Sequence, residues 1–276
     1  MTFSESAHAR NTRRGYDADR RDFVAWCAEQ GCDAIPAAPA DVARFLRERA
    51  ETLAPATVAR RLAAIVDAHR RVGLPSPRDE PEVRAALATI EWRFRERRRP
   101  TIPLDRECLS RMSLCLPATP SGARDHALLL VGYGAGLRRT EIVGLDVADL
   151  SVDDDRGLRV RLARGDVWIP RGSAPHVCAV RAWRRWREHL FAPCGPAFRA
   201  VDRHGHVGAA RLSDRAVTII VRRAAARAGL DPDLYTGRSL RLGLVLAAAS
   251  AGASDAAIMR QTGHRTRRLV RSYVDG

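Results

Sequence analysis

A mainly α-helical chain with one small β-sheet, built as an N-terminal helical bundle and a C-terminal mixed α/β unit, is what this sequence predicts. Three observations carry that expectation. Four stretches within residues 11–90 repeat apolar residues at the three-and-four spacing of amphipathic helices. A basic run from Arg93 to Arg99, followed by Pro100 and Pro103, interrupts the pattern as a linker does. One stretch, 158–169, changes to a period of two. The expected division is 1–95 for the bundle, 96–103 for a basic, proline-marked linker and 104–276 for the second unit; 276 residues are enough for about two domains.

In chain order, residues 1–10 read as a frayed leader, and the first helix then carries Tyr16, Phe23, Trp26 and Cys27 on one face and stops at Gly31. A second helix starts at Asp41 with Val42, Phe45 and Leu46 inward. Thr57 caps a third, with Val58, Leu62, Ile65 and Val66 inward, which ends at Gly73. A fourth runs from Pro81 with Val83, Leu87 and Ile90 inward, completing a small bundle. In the second unit Ser121 caps a helix that Gly132, Gly134 and Gly136 break, and Arg138 opens a new turn with Glu141 three residues on, beside its guanidinium. Leu158, Val160 and Leu162 alternate with Arg159 and Arg161, and the turn Arg164-Gly165-Asp166 returns the chain through Val167-Trp168-Ile169 as a hairpin. Trp183 and Trp186 read as core residues of the next helix rather than stacking platforms for bases. Further helices follow Ser213, Gly237 and Ser254, and a Gly263-His264 break leads to Tyr273.

Composition restricts what such a chain does. It carries 47 basic residues, all arginine, against 32 acidic ones, a formal net charge of +15. Biased coding explains the missing lysine but not the net charge, which implies a polyanionic partner, most often nucleic acid. Arginine suits phosphate because its planar fork donates two parallel hydrogen bonds. No apolar run reaches the roughly 18 residues of a membrane span, and Glu5, His8 and Arg10 interrupt any secretory apolar stretch. The expected location is cytoplasmic, with no membrane contact. The six cysteines form no C-x-x-C pair and read as free thiols of a reducing compartment. His204 and His206 near Cys194 lack a fourth ligand at a recognisable spacing, so no metal and no other cofactor is expected. Arg60 and Arg61 lie opposite the apolar stripe of the third helix, facing either solvent or a DNA backbone, and Arg97 and Arg98 in the linker are placed to neutralise successive phosphates.

Four short motifs then stand in a telling order: Gly136-Leu137-Arg138 with Glu141, Ser239-Leu240-Arg241, Gly263-His264, and Tyr273 nine residues after that histidine. Together they resemble the tyrosine recombinase family (phage integrases), as do Asn11-Thr12-Arg13-Arg14, Tyr16, Trp26, Ala63-Ala64-Ile65 and His69 in the first half. The resemblance implies a SAM-like core-binding bundle, in which Arg13 and Arg14 bind DNA, joined to a catalytic domain. It also implies that Tyr273 attacks a DNA phosphate to leave a 3′-phosphotyrosyl link, that the chain acts as a homo-tetramer on DNA, and that relatives extend further beyond the tyrosine than the three residues found here. The chemistry asked of the residues is consistent on its own terms: Arg138 and Arg241 stabilise charge on the non-bridging oxygens, Glu141 holds Arg138, and His264 bonds the phosphate or carries a proton.

Two positions depart from that pattern. The family's H-x-x-R begins here with Arg238, which stays protonated and cannot act as a base, and the lysine of the hairpin turn is matched by Arg164, a poor proton donor. The expectation is therefore a recombinase with slowed or altered chemistry. A DNA-binding regulator that kept the fold but lost strand transfer is the alternative, and a type IB topoisomerase shares the phosphotyrosyl chemistry but fits the domain plan and motif order less well.

Overall fold

A computed structural model describes residues 3–97, 101–191 and 194–274; the side chains of 3–14 and 95–97 lie outside that description. The chain divides into two compact units, Met1–Arg98 and Arg99–Gly276.

The first unit is a four-helix bundle of α1 (Phe3–Gln30), α2 (Pro39–Thr52), α3 (Pro55–Arg71) and α4 (Pro81–Arg97). Proline opens α2 and α3 at a position whose N–H would have no helical partner, so the ring costs no hydrogen bond. Phe23, Trp26 and Phe45 form the aromatic centre with edge-on contacts at 4.9 and 5.4 Å, surrounded by Leu46, Leu62, Ile65, Val83 and Ile90. His69 is structural: its Nε2 accepts from the Ala37 amide at 3.0 Å and its Nδ1 bonds the Ile65 carbonyl at 2.9 Å. The leader expected over 1–10 is helical from Phe3, and α4 carries the expected linker's first residues to Arg97.

The basic face expected on α3 is engaged by its own bundle. Asp19 of α1, with only 3% of its side chain exposed, takes both Arg60 Nε (2.6 Å) and Arg60 Nη2 (3.0 Å) and lies 3.6 Å from Arg61 Nε. Arg61 is 16% exposed and also pairs with Asp22 at 3.1 Å, so it belongs to the α1–α3 contact rather than to a free face. Half of the Arg60 side chain remains open. Removing a buried carboxylate leaves its cations unpaired, which costs about 3–5 kcal/mol in a closed site. With Arg60 half in solvent, Asp19→Ala is expected to cost about 2–4 kcal/mol. Chemical denaturation followed by far-ultraviolet dichroism measures this, and a change below about 0.5 kcal/mol, the scatter of ordinary surface substitutions, would mean the pair adds nothing.

The second unit sets helices around a small sheet. It begins with α5 (Arg106–Leu114), capped by Asp105, then α6 (Pro120–Gly134), capped by Thr119 rather than Ser121, and the short α7 (Arg139–Gly144). Strands β1 (Leu150–Asp153), β2 (Gly157–Leu162) and β3 (Gly165–Ile169) form an antiparallel meander that pairs Leu158 with Ile169 and Val160 with Val167. Those four apolar residues are buried, while Arg159 on the other face pairs with Asp166. Helix α8 (Ala179–Arg187) buries Trp183 and Trp186, and the hairpin of β4 (Arg199–Val201) and β5 (Val207–Arg211) follows. Helices α9 (Asp214–Arg227), α10 (Gly237–Ser250), α11 (Asp255–Thr262) and α12 (Arg267–Val274) complete the unit.

Gly132 and Gly134 do not break α6. They let it pack closely, since a Cβ at Gly132 would stand 2.9 Å from Ile142 and 3.0 Å from Leu240, and one at Gly134 would stand 2.6 Å from Ile169. The stop is Gly136, at φ +59°, a left-handed conformation in which a side chain is strained. That turn delivers Arg138 beside α10 and α11.

Candidate active site

Three chain reversals bring the charged residues of the second unit together. Arg138 is the N-cap of α7, and Glu141 in its first turn accepts the Arg138 backbone N–H at 2.7 Å and its Nη1 at 3.2 Å. Arg164, in the β2–β3 turn, donates its Nη1 to the same Glu141 oxygen and its Nη2 to the Gln261 carbonyl at 3.2 Å. Arg138 Nη2 reaches the Gly263 carbonyl at 3.3 Å. Arg241, on the second turn of α10 and 7% exposed, donates Nη1 to the Gly136 carbonyl at 2.7 Å and also to the Thr262 carbonyl. The carbonyls at the ends of α6 and α11 thus hold all three arginines, and one carboxylate is shared between Arg138 and Arg164.

His264 and Tyr273 complete the cluster. Gly263 ends α11 in the left-handed conformation, at φ +70°, and a Cβ there would meet the Arg164 side chain at 2.4 Å, so both the turn and the packing call for glycine. The turn sends His264 inward, 8% exposed, with Nδ1 2.7 Å from the Thr262 hydroxyl. Tyr273 lies on α12, which is anchored by Val270 against Val245 and Ile258 and by an Arg271–Asp255 pair at 3.3 Å. Its ring is 5.4 Å from the His264 ring, centre to centre, and the Arg238 guanidinium sits over the Tyr273 ring, 5.3 Å from its centre. Arg238 therefore stacks on the tyrosine, although it cannot accept a proton from it.

Four guanidiniums around one carboxylate make the pocket strongly positive. Burial, reinforced by Arg138 and Arg164, lowers Arg241 to about 10, with Glu141 and Tyr273 pulling the other way. Burial and the Arg138 charge also press Arg164 down against the pull of Glu141. His264 falls to about 4, through burial first and then Arg241, Arg138 and Arg164, so its imidazole is neutral at pH 7. Two buried donors, Arg241 Nη2 and Arg164 Nε, have no hydrogen-bond partner in the protein, a cost of about 1–3 kcal/mol each that an anionic ligand removes.

Arg138, Glu141, Arg164, Arg238, Arg241, His264 and Tyr273 thus form one cluster. Arg60 and Arg61 lie in the first unit, engaged as described. Arg98, and the side chains of Arg13, Arg14 and Arg97, fall outside the described residues. Sequence reasoning passed over Gln261 and Thr262, whose carbonyls hold Arg164 and Arg241. Their one signal was adjacency to Gly263-His264.

Residues 104–276 match the phage integrase family and residues 2–71 match its N-terminal SAM-like domain. The chain is 32% identical to an integrase/recombinase XerD homolog of Selenomonas ruminantium, over 98% of this chain and 83% of that one. It is also 32% identical to tyrosine recombinase XerC of Xanthomonas axonopodis pv. citri, over 79% of this chain and 72% of that one. The fold is that of the Tn1549 transposon integrase in complex with transposon right-end DNA (TM-score 0.60, 16% identity, 99% and 94% of the two chains). It is likewise that of a lambda integrase dimer bound to a core site (TM-score 0.57, 15% identity, 100% and 96%). The chain belongs to the phage integrase family. Among its described residues no helix is long and apolar enough to cross a membrane.

Proposed function

We propose that this recombinase cleaves and rejoins double-stranded DNA through Tyr273, with Arg138 and Arg241 binding the scissile phosphate. The observation that carries the reading is the convergence of two loop-aimed guanidiniums, one with a buried unpartnered N–H, on a pocket that also holds a phenol and a neutral histidine. Attack on a phosphodiester builds charge on the non-bridging oxygens, and donors already held in place stabilise it without reorganising. Oη of Tyr273 displaces the 5′-oxygen to leave a 3′-phosphotyrosyl link, which keeps the bond energy for rejoining. The N-terminal helical unit (1–95) serves as the DNA-gripping domain, linked through 96–103 to the catalytic one (104–276), with Arg13, Arg14, Arg60, Arg97 and Arg98 supplying positive charge for the DNA backbone. Exchanging two duplexes takes four strand cleavages, and each chain offers one such tyrosine, so the working assembly is a homo-tetramer. A cytoplasmic location follows from a DNA substrate.

The chemistry is slower than it would be with a histidine at Arg238 and a lysine at Arg164. Neither arginine exchanges protons at neutral pH, and a lost general acid or base costs about 10²–10⁴ in rate. That same feature favours the second reading, a regulator that binds DNA without cutting it.

One experiment decides between them. Nicked suicide duplexes, selected from a random pool by binding to the full chain, are expected to give an SDS-resistant adduct that Tyr273→Phe abolishes while still binding. Binding without any adduct would sink the enzyme reading in favour of the regulator.

A further inference from the structure

We infer that Thr262 locks His264 in the tautomer whose Nε2 is a lone-pair acceptor, and that this nitrogen takes the phenolic proton of Tyr273 during cleavage. The inference rests on the strand-cleaving reading above and adds a proton route to it, through Thr262, a residue to which that reading gives no chemical part.

The tautomer follows from counting protons. Thr262 Oγ1 lies 2.6 Å from the Ile258 carbonyl oxygen, which has no proton, so the hydroxyl hydrogen must point there. The same Oγ1 lies 2.7 Å from His264 Nδ1. Its single hydrogen being committed, it can only accept, and the hydrogen between the two belongs to Nδ1. A neutral imidazole protonated on Nδ1 carries its lone pair on Nε2. This lock is rigid: Thr262 is fully buried, its carbonyl takes Arg241, and Gly263 fixes the turn between the two residues.

The surroundings say what that lone pair is for. The ring is neutral at pH 7, so without substrate Nε2 offers an acceptor rather than a donor. Around the ring stand Arg241 from α10, Arg138 from the start of α7 and Arg164 from the β2–β3 turn, whose charges act on it, and Tyr273 from α12, its ring centre 5.4 Å away. Three are cations, and they add to burial in holding its basicity down. A phosphate bound among them offsets their charge and raises the basicity of Nε2 when a proton must be accepted. Arg238, stacked on the phenol, cannot take the proton but favours the phenolate that forms.

In the step itself, the Oη–H electron pair of Tyr273 becomes the new Oη–P bond as the proton passes to Nε2. The P–O5′ bond breaks with its pair on the 5′-oxygen, which takes a proton from water. On rejoining, the 5′-hydroxyl attacks phosphorus and gives its proton back to the hydroxide left in the first step, while the P–Oη bond breaks with its pair on Oη, which takes the proton from Nε2–H.

Single-turnover adduct formation by the full chain on a suicide duplex tests this. His264→Ala is expected to slow the step about a hundredfold or more, the range for a lost general base, and added imidazole should recover part of the rate. A 5′-bridging phosphorothiolate, whose sulfur leaves unprotonated, should not rescue that variant. Thr262→Val should slow the step about tenfold or more, as a mispositioned base does, while Thr262→Ser, which keeps the hydroxyl, should stay near wild type; the serine arm separates loss of the lock from loss of folding. Wild-type rates in His264→Ala, or rescue by the phosphorothiolate instead of by imidazole, would overturn the base assignment. Equal rates for the valine and serine variants would overturn the lock. Absence of adduct with the wild-type chain would instead sink the parent reading, so the two failures are distinct.

Discussion

Arg241→Ala is expected to slow covalent adduct formation at least about a thousandfold, with DNA binding weakened far less. Removing a single preorganised donor from a charge-stabilising site costs about 10²–10³ in rate, and Arg241 combines a full charge with a fork whose free Nη2 is buried beside two carbonyl anchors. Its 7% exposure means the loss is not softened by solvent. Binding survives because affinity for DNA is spread over many phosphates and one contact is a small share of it. Arg241→Lys keeps the charge but loses the planar fork, so it should remain at least about tenfold slow. Single-turnover adduct assays alongside binding titrations measure both quantities. A rate for the alanine variant within tenfold of wild type would remove Arg241 from the phosphate site.

Glu141→Gln is the second substitution with a large expected effect, and it separates chemistry from attraction. One Glu141 oxygen receives Arg138 and Arg164 together, and the other takes the Arg138 backbone N–H. Glutamine keeps the shape but supplies no charge and turns one acceptor into a donor. Arg138, Arg164 and Arg241 are then left without their one local counter-charge. Breaking a buried pair costs about 3–5 kcal/mol, and because 22% of the Glu141 side chain is exposed, about 2 kcal/mol is expected here. Cleavage should fall about ten- to a hundredfold as the Arg138 fork loses its aim. DNA binding should not weaken, since the pocket becomes more positive. Thermal melting, adduct rates and binding isotherms give the three readings. Unchanged stability and unchanged rate together would show that Glu141 does not organise the clamp.

How much of this was legible beforehand follows from the length scale of each signal. The N-terminal helices are long enough for three or four turns of apolar repeat, so Phe23, Trp26, Phe45, Leu62 and Ile65 were identifiable as core from periodicity. The β2–β3 hairpin was readable because alternation runs on both sides of a glycine, although the turn itself is Ala163-Arg164 and Gly165-Asp166 open β3. Helix α5 was missed since its nine residues bury little beyond Leu109 and Met112. Strand β1 is four residues long and β5 largely exposed, so neither shows the alternation of a half-buried strand. Gly132 and Gly134 misled because glycine signals both a break and a close approach, and only the neighbours Ile142, Leu240 and Ile169 decide which.

The candidate site divides in the same way. Motif order singled out Arg138, Glu141, Arg241, His264 and Tyr273 through the family resemblance it carries, and the residue types suit binding and attacking a phosphate. The two anomalous arginines were visible as anomalies but not as partners. Chain folding put Arg164 against Glu141 and Arg238 over the Tyr273 ring, contacts that span 23 and 35 positions of sequence. It also bound Arg61 into the bundle through Asp19 and Asp22, where helical periodicity had left it on a free face. What the sequence by itself determined is the set of chemical groups and the helices that carry them, since both are local properties of residue type and spacing. Which guanidinium meets which carboxylate, and which histidine nitrogen holds its proton, only the tertiary structure decided, because those depend on distances of about 3 Å between segments far apart in the chain.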